Sequence, residues 1–169
     1  RIQKFQRWLF GSSVNCAKEM AIFGDMLPNQ DINNDMLHRR VVNFDMEAAG
    51  YAAWFHEGRP AIGHIITYIL PKQPLPAPVV PSSKIYANGG AFFRDAEDDP
   101  KGLHGVLYNI RSQFEGHTHY ETNGLALSAL GNRLLVNGGR LGPTVQAAPL
   151  NNTLAINGEN HASKLGGGL

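Results

Sequence analysis

Pro71, Pro74, Pro76, Pro78 and Pro81 crowd one short stretch of the chain, and no helix or inner strand can run through it. Each proline fixes φ near about −65° and removes a backbone N–H donor, so the stretch reads as an extended connector. It divides the sequence into a part before residue 71, a connector over 71–82 and a part over 83–169. With 169 residues and 43% hydrophobic content, the chain can bury one modest core or carry parts of two domains.

The two flanks have different periodicities. Ile2, Phe5, Leu9, Val14, Ala17 and Ala21 fall near helical spacing, broken at Gly11-Ser12-Ser13, which predicts two helical pieces with Ser12 or Ser13 as N-cap. The polar stretch 25–34 reads as a loop. Leu37, Val41, Phe44, Ala48, Tyr51, Ala52 and Phe55 then recur at three- and four-residue steps, predicting a helix over about 36–57 that Gly58-Arg59-Pro60 stops. A further short helix is expected over 61–70.

Beyond Ser83 the pattern changes to short runs of strand formers: Lys84-Ile85-Tyr86, Ala91-Phe92-Phe93, 106–110, 125–130, Leu134-Leu135-Val136 and 153–156. Between them Asn88-Gly89, Gly131-Asn132, Asn137-Gly138 and Asn157-Gly158 are turn dipeptides that tolerate positive φ. This spacing predicts a sheet or sandwich, and the whole chain an α+β protein.

Fifteen Lys and Arg against 14 Asp and Glu give a formal charge of +1, so composition offers no footprint for nucleic acid or an anionic membrane. The lone Cys16 excludes an intrachain disulfide and a Cys-rich metal site, and fits either redox compartment. The longest apolar run, 61–70, falls short of the ~20 residues a spanning helix needs. Arg1 and the closing Gly166-Gly167-Gly168-Leu169 read as cut or processing points, which makes a fragment the expectation.

Among residues able to carry chemistry, His117-Thr118-His119 stands between two predicted strands. If extended, it points both imidazoles to one face, where they can share a metal or a substrate. A bare His-x-His is more often two surface histidines beside a turn. The acidic run Asp95, Glu97, Asp98, Asp99 lacks EF-hand spacing, and Gly138-Gly139-Arg140-Leu141-Gly142 lacks the Gly-Lys-Ser/Thr ending of a phosphate loop. His38-Arg39-Arg40 and Arg59 could meet an acidic glycan, though exposed helical charges are mostly just solvated. Trp8, Trp54, Tyr51, Tyr68 and Tyr120 read as packing, and His56, His64, His104 and His161 carry no motif.

The run from Phe114-Glu115-Gly116-His117-Thr118-His119-Tyr120-Glu121-Thr122-Asn123 to Gly124-Leu125-Ala126-Leu127, followed by Gly131-Asn132-Arg133-Leu134-Leu135-Val136-Asn137-Gly138-Gly139, resembles the heparinase II/III-like polysaccharide lyases. That family writes Gly-His-x-His-x-Asp-x-Asn, an alternating strand, a Gly turn and Leu-Leu-x-Asp-x-Gly. Asn151-Asn152-Thr153-Leu154-Ala155-Ile156-Asn157-Gly158 is similar to the family's His-Asn-Thr-Val-Leu-Val-Asp-Gly strand, and 81–94 matches the strand ending in an Arg with which the family's sandwich begins. Phe23-Gly24-Asp25 resembles a Gly-Asp near the end of the α/α toroid.

The resemblance implies that 1–70 is the end of an α/α toroid and 83–169 the start of an antiparallel β-sandwich. It implies β-elimination on a uronate-containing polysaccharide, of glycosaminoglycan or alginate type, in a secreted or periplasmic protein. His117 maps to the catalytic histidine, as carboxylate neutraliser or base; Arg94, Glu121 and Asn123 take substrate-binding positions. His119, Asn137 and Asn151 fall on the family's zinc positions, where Asn137 and Asn151 replace an Asp and a His. Carboxamides are poor zinc ligands, so zinc is expected to bind weakly or not at all. The family's catalytic tyrosine and its partner match no residue here, so the fragment alone is expected to be inactive. The alternative is a non-catalytic carbohydrate-binding or structural member with a decayed metal site.

Overall fold

A computed structural model describes residues 7, 8, 10–14, 19–24, 47, 83–95, 99–110, 117, 119–140 and 146–161. Two antiparallel sheets organise them. β1 (Ser13–Val14) pairs with β2 (Glu19–Met20). β3 (Lys84–Tyr86), β4 (Gly89–Arg94), β5 (His104–Ile110), β6 (Gly124–Ala129) and β7 (Asn132–Leu135) form a five-stranded sheet in the order β3-β4-β5-β6-β7.

The alternation of side chains builds this sheet. Along β6, Gly124, Ala126 and Ser128 are buried while Leu125, Leu127 and Ala129 are half-buried, as a period of two requires. Leu130 (φ 55°) and Gly131 (φ 74°) turn β6 into β7 with both central residues left-handed, the backbone that matches strand twist in a two-residue hairpin. The β4–β5 register shifts between Gly89 and Ala91, where the chain takes up an irregularity at Gly90.

Phe92, Val106 and Ala126, contributed by three adjacent strands, form the core with Ala21 and Phe23 from the N-terminal segment, and Tyr86 and Tyr108 pack against it. The segment over 7–24 thus covers one face of the sheet. Its attachment is polar as well as apolar. Trp8 Nε1 donates to Gly89 O at 3.2 Å, and Arg94 Nη2 donates to the carbonyls of Phe10 (3.1 Å), Gly11 (3.1 Å) and Ser13 (3.2 Å). Residues 10–12 close a helical turn, so the Phe10 and Gly11 carbonyls stand at a helix C-terminus, where a cation is favourable. Arg7 also makes a two-pronged ion pair with Glu47, at 2.6 and 2.8 Å.

Three sequence expectations change. A second helical piece after Gly11 is replaced by the β1–β2 pair, and Ser13 is no N-cap: its hydroxyl donates backwards to Phe10 O at 2.7 Å. Ala21, Ile22 and Phe23 are all buried on non-helical backbone, and Ala21 and Phe23 join the core. The expected strand 153–156 is not paired among the described residues; Leu154 and Ile156 are 73% and 71% exposed, and a 3-10 turn, Ala148–Leu150, precedes it. The other predicted runs are strands, with β5 beginning earlier, at His104.

Among the described residues the fold is therefore an antiparallel sheet with little helix. The expected helices over 36–57, where Glu47 is helical, and over 61–70 lie largely outside the described residues, as does the 71–82 connector. Among the described residues no helix is long and apolar enough to cross a membrane.

Candidate functional site

The connection from β5 to β6 carries the His-x-His motif, and the structure separates its two rings. His117 sits exposed in a turn, whereas His119, on non-strand backbone, is completely buried. The expectation that both imidazoles share one face fails because the segment turns at His117 instead of running extended. Only His117 is open to a solvent-borne substrate.

Glu121, two residues beyond His119, is also completely buried. Its Oε1 accepts the backbone N–H of Gly24. The Glu121 carbonyl in turn accepts from Gly124 N at 2.7 Å, closing the turn into β6. Phe23 stacks on Tyr108 of β5 with ring centroids 4.5 Å apart and planes 15° apart. Burial, and then the negative charge of Glu121, push the Tyr108 hydroxyl up to about 12, so it stays protonated.

Gly24 has φ 59°, and a Cβ there would collide with the backbone oxygen of His117. The N-terminal segment therefore abuts the turn that presents the candidate catalytic histidine. Asn123, with φ 61°, is exposed, and its Oδ1 accepts from Asn109 Nδ2 at 2.8 Å, which ties the loop to β5. Of the residues expected to contact substrate, Asn123 alone is exposed. Glu121 is directed inward to Gly24, and Arg94 is half-buried with its guanidinium on the 10–13 carbonyls.

The three positions matched to zinc ligands are all buried: His119 at 0%, Asn137 at 4% and Asn151 at 8% exposure. Hydrogen bonds join the segments that carry them. Asn137 Oδ1 accepts from Asn152 N at 2.7 Å, Asn151 Nδ2 donates to Ala147 O at 2.9 Å, and Tyr120 N donates to Gln146 O at 2.9 Å. Leu125 N donates to Asn152 O at 2.9 Å, and the Thr153 hydroxyl to Thr122 O.

This donor set does not fit zinc. The Asn137 carboxamide oxygen is already engaged by a backbone N–H, its Nδ2 is buried with no hydrogen-bond acceptor among the described residues, and Asn151 uses its nitrogen on a carbonyl. Zinc requires thiolate, imidazole or carboxylate, and no group of three or more His, Cys, Asp or Glu side chains able to hold a metal occurs among the described residues.

His104, which carries no motif, has a structural place: it is buried to 1% exposure with Nε2 donating to Gly11 O at 2.9 Å. The available signal was parity: His104, Val106 and Tyr108 alternate along one strand and so share the face with the core.

No family model matches the chain, and no curated protein matches it. Solved structures do. A heparinase III structure is similar with TM-score 0.63 and 13% identity over 97% of this chain and 27% of its own. A mutant of the heparan sulfate lyase HepC from Pedobacter heparinus is similar with TM-score 0.59 and 17% identity over 92% of this chain and 23% of its own. A heparinase III with methylated lysines gives TM-score 0.56 and 13% identity over 92% and 23%. The chain spans about a quarter of the length of these structures, and at these identities the likeness is one of fold. The antiparallel sheet is the part of the expected architecture that the structure bears out.

Proposed function

We propose that this chain forms part of a polysaccharide lyase that cleaves a uronate-containing acidic polysaccharide by β-elimination, with His117 as carboxylate neutraliser or base. Two independent lines support the reading. The motifs around His117, Asn137 and Asn151 follow the order of the heparinase II/III-like lyases, and the fold is similar to about a quarter of a heparinase III structure and of a heparan sulfate lyase.

The single observation that carries it is the contrast within His117-Thr118-His119: one ring is exposed at a turn while its neighbour is buried. In β-elimination a base takes the proton from the carbon beside the uronate carboxylate. The electron pair forms the double bond to the neighbouring carbon, and the 4-linked oxygen leaves with a proton. An imidazole can hydrogen-bond the carboxylate or take the proton near neutral pH. His119 is buried and so takes no part in that contact.

Asn137 and Asn151 favour a second reading, a carbohydrate-binding or structural member that has lost the lyase family's metal. One experiment separates the two. The full-length protein carrying this chain is given a panel of acidic glycans, and the conjugated uronate product is followed near ~232 nm, with His117→Ala alongside. A rise that depends on His117 establishes the lyase; glycan binding without any rise establishes the binding protein.

A further inference from the structure

We infer that Glu121 is a positioning residue: its carboxylate, through the backbone N–H of Gly24, holds the turn that presents His117. The inference rests on the reading of His117 given above and goes beyond it by giving the N-terminal segment a part in the site.

Four observations carry it. Glu121 is completely buried, so it offers no surface to a polymer, and its Oε1 is committed to Gly24 N. Gly24 is left-handed at φ 59° and lies so close to the His117 carbonyl that no side chain fits between them. The neighbouring Phe23 is itself fixed, stacked on Tyr108 and packed in the core with Val106 and Ala126. Finally, the Glu121 carbonyl accepts from Gly124 N at 2.7 Å, and Gly124 is so closely set that a Cβ there would stand 2.7 Å from Glu121 O and 3.4 Å from the Phe23 ring.

Movement of the Gly24 peptide is therefore transmitted to the His117 backbone by direct contact. What fixes Gly24 is the place of the acceptor oxygen, which the buried Glu121 side chain holds at the reach of the Gly24 N–H. The reacting group lies at the far end of the contact. Misplacing such a group by about 1 Å can cost on the order of 100-fold in rate.

The test uses two conservative substitutions in the full-length protein. Glu121→Gln keeps an oxygen at the same reach but removes the charge, whereas Glu121→Asp keeps the charge and withdraws the oxygen from Gly24. Steady-state elimination is measured on a heparan-sulfate-type polymer, and hydrogen exchange at the Gly24 amide is measured in parallel. The expected result is that Asp lowers kcat by about 10- to 100-fold with KM little changed and speeds Gly24 exchange, while Gln restores most of both.

Three results overturn the inference: Gln impaired while Asp is spared, a rise in KM at constant kcat, or Gly24 exchange equal in all three proteins. If the unsubstituted protein eliminates no glycan, the proposed lyase function fails by itself. The exchange comparison, together with the NMR shifts of the His117 ring, then decides alone whether Glu121 holds Gly24 and the turn.

Discussion

Arg94 and His104 are register partners on β4 and β5, and both donate to one oxygen, the carbonyl of Gly11, at 3.1 and 2.9 Å. Through that shared acceptor the sheet grips the N-terminal segment. Because His104 donates through Nε2, its proton sits there and a second proton would have to enter at buried Nδ1. Burial, and next the adjacent Arg94 charge, push the imidazole from 6.5 down to about 4, while the Gly11 hydrogen bond pulls weakly upward.

The sign of the pH dependence follows. The unfolded chain takes up a proton at His104 near 6.5 and the folded chain only near 4, so stability is full above 6.5 and declines as pH falls from 6.5 to 4. The loss is on the order of 3 kcal/mol. Denaturant midpoints measured across this range should fall for the native sequence and fall less for His104→Gln, which keeps the donor to Gly11 but does not titrate. Equal slopes in the two proteins would assign the decline to other groups.

Arg94 places one nitrogen within reach of the Phe10, Gly11 and Ser13 carbonyls. Arg94→Ala leaves those carbonyls without their charged donor and should lower unfolding free energy by on the order of 2 kcal/mol. If the main work of Arg94 were contact with polysaccharide, the variant would lose glycan affinity and keep its melting temperature. Calorimetry and glycan binding on the same sample distinguish these cases.

Gly24→Ala introduces a Cβ at φ 59° and against the His117 carbonyl. The left-handed backbone alone costs about 1–2 kcal/mol, and relief of the collision must move either the 21–24 segment or the His117 turn. The variant should show a lower melting temperature together with shifted His117 resonances. A change in only one of these would break the link between segment and turn.

The site around His119, Asn137 and Asn151 should be indifferent to zinc. A metal bound only by the folded state raises the melting temperature with its concentration, so added zinc or a chelator should leave the melting curve unmoved. Asn137→Asp combined with Asn151→His supplies the two missing ligand types beside His119, and equilibrium dialysis should then detect one bound zinc. Zinc retained by the native sequence through dialysis would refute this reading.

The strands were legible because two-residue alternation and turn dipeptides are written locally. Leu125 to Ala129 and a turn at Gly131 needed no distant information. The β1–β2 pair was illegible because its apolar residues also satisfy a helical period, and only the sheet that receives Ala21 and Phe23 chooses between the two. Thr153–Ile156 misled in the opposite way: its composition is that of a strand, but Thr153 N donates to Asn151 O, while the Leu154 and Ile156 carbonyls accept from His161 Nε2 and Glu159 N rather than from a ladder. At the site, His117 and His119 were found from their motif. Gly24, 93 positions before His117 by numbering, lies against the His117 carbonyl, a contact that no local pattern encodes.

The strand order β3-β4-β5-β6-β7 has a kinetic consequence. Every strand pairs with its immediate successor, so the sheet closes only short loops and forms without a long search. The bonds from Arg94, His104 and Glu121 to the N-terminal segment span 81 to 97 residues and must come later. In refolding, the meander should therefore gain protection first, with His117 acquiring its final setting only in the last, slower phase as residues 7–24 dock.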